Sequence, residues 1–115
     1  MKARLKLMKT ITLNYGGKKY TLEFNRDAIR QMEGDGFVIT DIETKPVSTI
    51  PELFAGAFIA HHATTARETI DEMFSKTPHK GELLKKLGEM YAEQLESLMD
   101  EPEADEGNLE WGASW

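Results

Sequence analysis

With 115 residues, 40% hydrophobic and 30% charged, the chain has the size and balance of one soluble globular domain. It has no cysteine, which excludes disulfide frameworks, thiolate metal sites and cysteine nucleophiles. The net charge of -6, without basic residues interleaved with aromatics, argues against nucleic-acid binding, and no apolar run approaches the roughly 20 residues that span a bilayer.

The charge is segregated along the chain. The first 20 residues hold six basic groups and no acidic ones; from Leu87 onward there are nine acidic groups and no Lys or Arg. The opening "MKARLKLMKTITL" breaks its apolar residues with Lys and Arg, so it lacks the continuous apolar segment of a signal peptide, and the expected compartment is the cytoplasm.

Leu5, Leu7, Ile11, Leu13 and Tyr15 occupy odd positions with Thr10, Thr12 and Asn14 between them, the period of a half-buried strand. Gly16 and Gly17 suit the positive φ of a tight hairpin turn, and Tyr20, Leu22 and Phe24 then alternate with Lys19, Thr21 and Glu23. This predicts a β-hairpin over residues 4–24 whose apolar face lies on other elements, because an isolated hairpin is marginal.

Asn25 is a good N-cap for a short helix over residues 26–33, with Ala28, Ile29 and Met32 on one face and glycine following. A third strand is expected over residues 37–42. Thr49 and Glu52 have the spacing of a capping box with Pro51 in the first turn, which predicts a helix over 50–62 that is apolar on nearly all sides and so central in the core. Thr65 and Glu68 repeat the capping-box spacing before a helix at 66–75, which Pro78 stops.

The longest helix is expected over 80–100, with Leu84, Leu87, Tyr91, Leu95 and Leu98 in one stripe. Gly88 weakens it by about 1 kcal/mol relative to alanine. Residues 101–115 are acidic, contain Pro and Gly and have no periodicity, so a disordered tail is expected there. Trp111 and Trp115 stand out in that tail, since Trp is favoured at binding hot spots. The fold class is therefore α+β: one domain over 1–100, an antiparallel hairpin packed on about four helices, with the tail at 101–115.

The chemistry-bearing residues are few. His61 and His62 are adjacent, so on a helix their rings point about 100° apart and do not share one metal easily, whereas zinc helices use i, i+3 or i, i+4 pairs. Histidine near a helix C-terminus interacts with the dipole and the last carbonyls, and this is the preferred role for the doublet. Asp27, Glu33 and Asp35 are explained by a helix start and a Gly turn. "YGGKKY" has hairpin glycines and not a phosphate loop. No catalytic residue, metal ligand or cofactor is assigned, and the chain is expected not to be an enzyme. The candidate partner-binding residues are the stripe Leu84, Leu87, Tyr91, Leu95 and Leu98, together with Trp111 and Trp115.

The runs "LNYGGKKYTLEFNRDAIRQMEGDGF", "KPVSTIPELFAGAFIAHHATTAR" and "LLKKLGEMYAEQLESLMDEPEADEGNLEW" together cover nearly the whole chain. In their order and spacing they resemble small phage and prophage proteins of Gram-positive hosts described as tail assembly chaperones. The resemblance implies a cytoplasmic accessory of long-tailed phage assembly whose partners are the tape-measure protein and the tail-tube protein, with a homo-oligomer possible. It brings no site residues with it and gives His61 and His62 no role. The alternatives are a structural component of the tail or head–tail connector retained in the virion and, further off, a metal-dependent enzyme using His61 and His62.

Overall fold

The computed structural model describes residues 9–100 and 109–115. The architecture is α+β: β1 (Ile11–Tyr15) and β2 (Lys18–Leu22) form a two-stranded antiparallel hairpin, followed by the helices α1 (Arg26–Gly34), α2 (Pro46–Gly56), α3 (Arg67–Lys76) and α4 (Lys80–Ser97). The expected strand pairing over residues 4–8 lies outside the described residues, as does the expected disorder of residues 101–108. Residues 109–115 carry no regular secondary structure.

The hairpin follows its sequence pattern. Ile11 pairs with Leu22, Leu13 with Tyr20 and Tyr15 with Lys18. Gly16 and Gly17 have φ of 58° and 77°, the two left-handed positions of a turn whose twist matches the strands. Tyr20, Leu22 and Phe24 are buried, while Thr12 and Asn14 on the opposite face are exposed. Asn25 caps α1 as expected, its side-chain oxygen accepting from the Ala28 N–H at 2.7 Å.

Three expectations are corrected between residues 37 and 68. The third strand at 37–42 is absent: residues Ile39–Ile42 form a 3-10 helix, with Ile39 and Ile42 leaning on the core. A lone strand there would have had no neighbour for its ladder bonds. The helix expected at 50–62 is instead α2, which begins one turn earlier at Pro46 and ends at Gly56. Pro46 presets the helical φ of the first turn, and Thr49 bonds back to the Lys45 carbonyl instead of acting as a cap. Pro51 therefore lies inside the helix. The Val47 carbonyl, which it cannot bond, belongs to a residue that is 88% exposed, where water can satisfy it. The capping box at Thr65 and Glu68 does not form either. Ala66 is the N-cap of α3 and makes no side-chain bond, while the Thr65 N–H closes a turn on the His62 carbonyl.

The other boundaries shift by a few residues: α3 ends at Lys76, before the extended Thr77 that precedes Pro78, and α4 ends at Ser97. The N-cap of α4 is His79, a non-glycine residue at φ 54°.

The core is one cluster built around α2. Leu22, Phe24, Leu53, Phe54, Phe58 and Leu87 are its largest fully buried side chains. Phe54 meets Phe58 at 5.2 Å between ring centroids and Phe74 at 5.0 Å, and Phe24 meets Tyr91 edge-on at 5.5 Å. Gly56 lies where α2 touches α1, and a Cβ there would run into the Met32 side chain. The small residues of α2 thus allow a close approach.

Two outcomes follow for chemical denaturation. Phe54→Ala should lose about 3–5 kcal/mol, since Phe54 is fully buried, whereas Val47→Ala on the same helix should stay within about 0.5 kcal/mol. Gly88→Ala should raise stability by up to about 1 kcal/mol, because a Cβ at Gly88 meets nothing within 4 Å.

Candidate functional site

The histidine doublet sits beyond α2, in a run of tight turns over residues 57–62. There Phe58 N–H bonds to Ala55 O, Ile59 N–H to Gly56 O and His62 N–H to Phe58 O. Because α2 ends at Gly56, the doublet does not cap that helix, and the expected dipole role is replaced by another. The two rings face different partners. His62 Nε2 accepts from the Thr21 backbone N–H at 2.9 Å. His61 Nε2 pairs with Glu23 Oε1 at 2.6 Å, and the Glu23 backbone N–H donates to Ala57 O at 3.0 Å.

This pattern follows from the hairpin register. The pairs Leu13–Tyr20 and Ile11–Leu22 exchange the ladder bonds, so the N–H groups of Thr21 and Glu23 face away from β1. They would be open edge donors without the turn at 57–62. His62 also packs its ring against Tyr20 at 5.0 Å and Phe58 at 6.3 Å. The doublet is a latch between the outer edge of β2 and the turn after α2. Among the described residues, no three His, Asp or Glu side chains are grouped to hold a metal ion.

His62 must be neutral at Nε2 to accept from Thr21. Burial lowers its pKa from the ordinary 6.5, and the charges of Lys18 and His61 lower it further. The latch contribution is therefore complete above pH 6.5 and is lost as pH falls from there through the lowered folded value, since the unfolded chain takes up the proton first.

A cleft of about 380 Å³ opens beside the latch, with Met32, Phe37, Ile59, His62 and Ile70 among its walls. Arg67 stands at this cleft, held by Glu52 at 3.1 Å and Asp71 at 2.9 Å, so its charge is already met within the chain.

The predicted partner-binding stripe divides. Leu87 and Tyr91 are core residues with 0% and 2% exposure, and Leu84 is half-buried against the same cluster; their apolar surface is used within the fold and is withdrawn from the partner-binding set. Leu95 and Leu98 are exposed at the far end of α4, continued by Met99. Trp111 and Trp115 are more than four-fifths exposed, as is Leu109. The structure does not bring the two tryptophans onto the stripe.

Leu95 and Leu98 join Ile29 in a groove of about 230 Å³ between α1 and α4, with Arg26, Arg30, Glu33 and Gln94 along its sides. Arg26 donates to the Ser97 carbonyl at 2.8 Å and ties the two helices at the groove's end, where a cation also favours the helix C-terminus. Arg30 pairs with Asp27 on the same helix. The groove was not legible from periodicity alone, which runs unbroken from Leu84 to Leu98 and does not say where the core stops.

The latch is tested by pH. His62→Ala should cost about 1–3 kcal/mol at pH 8 through the unsatisfied Thr21 N–H and the lost ring contacts. His62→Gln, whose amide oxygen can accept the same bond, should recover part of that loss. Both variants should show a shallower fall in stability between pH 7 and pH 5 than the parent chain in urea titrations.

No curated protein and no solved structure matches the chain. Residues 7–115 match the family described as a domain of unknown function, DUF5055. Since this match leaves out only the first six residues, the chain belongs to that family.

Proposed function

We propose that the protein is a cytoplasmic, non-catalytic binding protein that acts as a tail assembly chaperone, covering the tape-measure protein and engaging tail-tube subunits before the tail closes round them. The observation that carries this reading is the apolar end of α4. Leu95, Leu98 and Met99 stand exposed beside a groove, in a chain whose core is already filled by Leu87, Met90 and Tyr91. An exposed helical stripe of Leu and Met is suited to an apolar stripe on a long helical client, because methionine adapts to irregular surfaces.

Charge supports the same role. The acidic groups that follow Leu87 repel one another, and several copies arranged along one client would keep the assembly soluble. His61 and His62, the residues that raised the question of an enzyme, have structural work in joining β2 to the turn after α2. No helix among the described residues is long and apolar enough to cross a membrane.

Co-expression with the tape-measure protein checks the proposal. The client should move into the soluble fraction and co-purify with this chain, and replacing both Leu95 and Leu98 by Asp should weaken retention at least about tenfold while leaving the fold intact. Unchanged client solubility with no co-purification would remove the chaperone reading. Finding the protein in stoichiometric amount in purified virions would favour a structural component instead.

A further inference from the structure

Among the described residues, two apolar features stand out as uncovered. One is the groove between α1 and α4, floored by Ile29, Leu95 and Leu98. The other is the segment at 109–115, "LEWGASW", in which Leu109, Trp111 and Trp115 are at least 82% exposed. We propose that the groove of one copy receives Trp111 from the C-terminal segment of a second copy, so that the chain self-associates through its tail.

The chemistry of the groove fits an indole. Its floor is apolar, its volume of about 230 Å³ suits one large aromatic side chain, and its sides carry two guanidinium groups, Arg26 and Arg30. A guanidinium over a Trp face is the most favourable cation–π arrangement a protein offers. The indole N–H needs an acceptor when it is buried, and Glu33 and Gln94 on the same walls supply carboxylate and amide oxygens.

Charge selects the incoming segment. Residues 101–115 carry five acidic groups and no Lys or Arg, so the segment approaches the two arginines, whose partners within the chain are the Ser97 carbonyl and the exposed Asp27 carboxylate, with its negative charge forward. In an extended "LEW", Leu109 and Trp111 share one side and Glu110 the other. The apolar pair can then enter the groove while Glu110 stays with the arginines at its edge.

The donor is a second copy because, among the described residues, a single chain leaves both features open. The tail follows α4, whose end forms one wall of the groove, so docking within the chain would have the advantage of a short tether. In the isolated chain Trp111 is nevertheless 82% exposed and the groove is unfilled by it. Reciprocal exchange between two copies fills two grooves with two tails, in the self-complementary manner of a two-fold dimer. This association needs only the purified chain; it uses the Leu95 and Leu98 surface proposed above for the client, so tail and client would compete for the groove.

Trp111 and Trp115 are the only tryptophans, so Trp115→Phe leaves Trp111 as the single indole reporter in the full chain. On raising the concentration, its emission should shift to the blue as the mass in light scattering rises from one copy to two. Arg30→Glu and Leu98→Glu, both at exposed positions, should each raise the dissociation constant at least about tenfold with the far-ultraviolet circular dichroism unchanged. Three results would overturn the proposal. A red, concentration-independent emission with a one-copy mass would show that no docking occurs. A blue emission at one-copy mass would mean that the groove takes the chain's own tail. A two-copy mass with Trp111 still solvent-exposed would place the interface elsewhere.

Discussion

The fold depends on how the outer edge of a two-stranded hairpin is closed. Two strands alone do not hold together well in water, and among the backbone donors that the register turns away from β1 are those of Thr21 and Glu23. The turn at 57–62 meets both, with a carbonyl from Ala57 and an imidazole nitrogen from His62. His61 then fixes the Glu23 side chain, which is almost wholly buried and would be costly without a partner. The turn therefore behaves as a short substitute for a third strand. It is anchored by the aromatic rings of Tyr20, Phe58 and His62, so edge closure and core packing are formed by the same residues.

Why the chain needs this device becomes clear from the position of α2. Its C-terminal half supplies Leu53, Phe54 and, just beyond, Ala57 and Phe58, all fully or nearly fully buried. A helix continuing straight to residue 62 would carry His61 and His62 away along its axis. Ending the helix at Gly56 and tightening the chain into turns brings residues 57–62 beside β2. The same Gly56 admits Met32 of α1, so one small residue serves both the close contact and the change of direction.

The sequence made some of this legible and hid the rest for physical reasons. Alternation and the Gly16–Gly17 pair identified the hairpin because period two and left-handed φ are local requirements. Asn25 announced α1 by a local bond to Ala28. The start of α2 was hidden because two prolines one turn apart, Pro46 and Pro51, each suit a first helical turn, and the Thr49–Glu52 spacing favoured the later one. The choice is made by tertiary contacts, which bury Thr49 and hold the 3-10 helix against the core. The role of the doublet was hidden for a stronger reason: its partners lie 38 and 41 residues away, and no local rule connects His61 to Glu23 or His62 to Thr21.

The same distinction bears on α4. Eighteen residues make a helix about 27 Å long, while α1, which lies along its C-terminal part, has nine. The core reaches as far as Leu87, Met90 and Tyr91; one turn further, Leu95 is 39% exposed beside Ile29 in the groove, Leu98 58% and Met99 82%. The apolar period does not stop where the core stops. Keeping Leu and Met on an end held in place by the Arg26 bond to Ser97 leaves apolar surface in water that polar residues at these positions would avoid. In the proposed role, that cost is offset when another polypeptide covers the surface. In that role, the helix end and its arginine-edged groove are already formed, so the cover would bind with little ordering cost on the side of this chain.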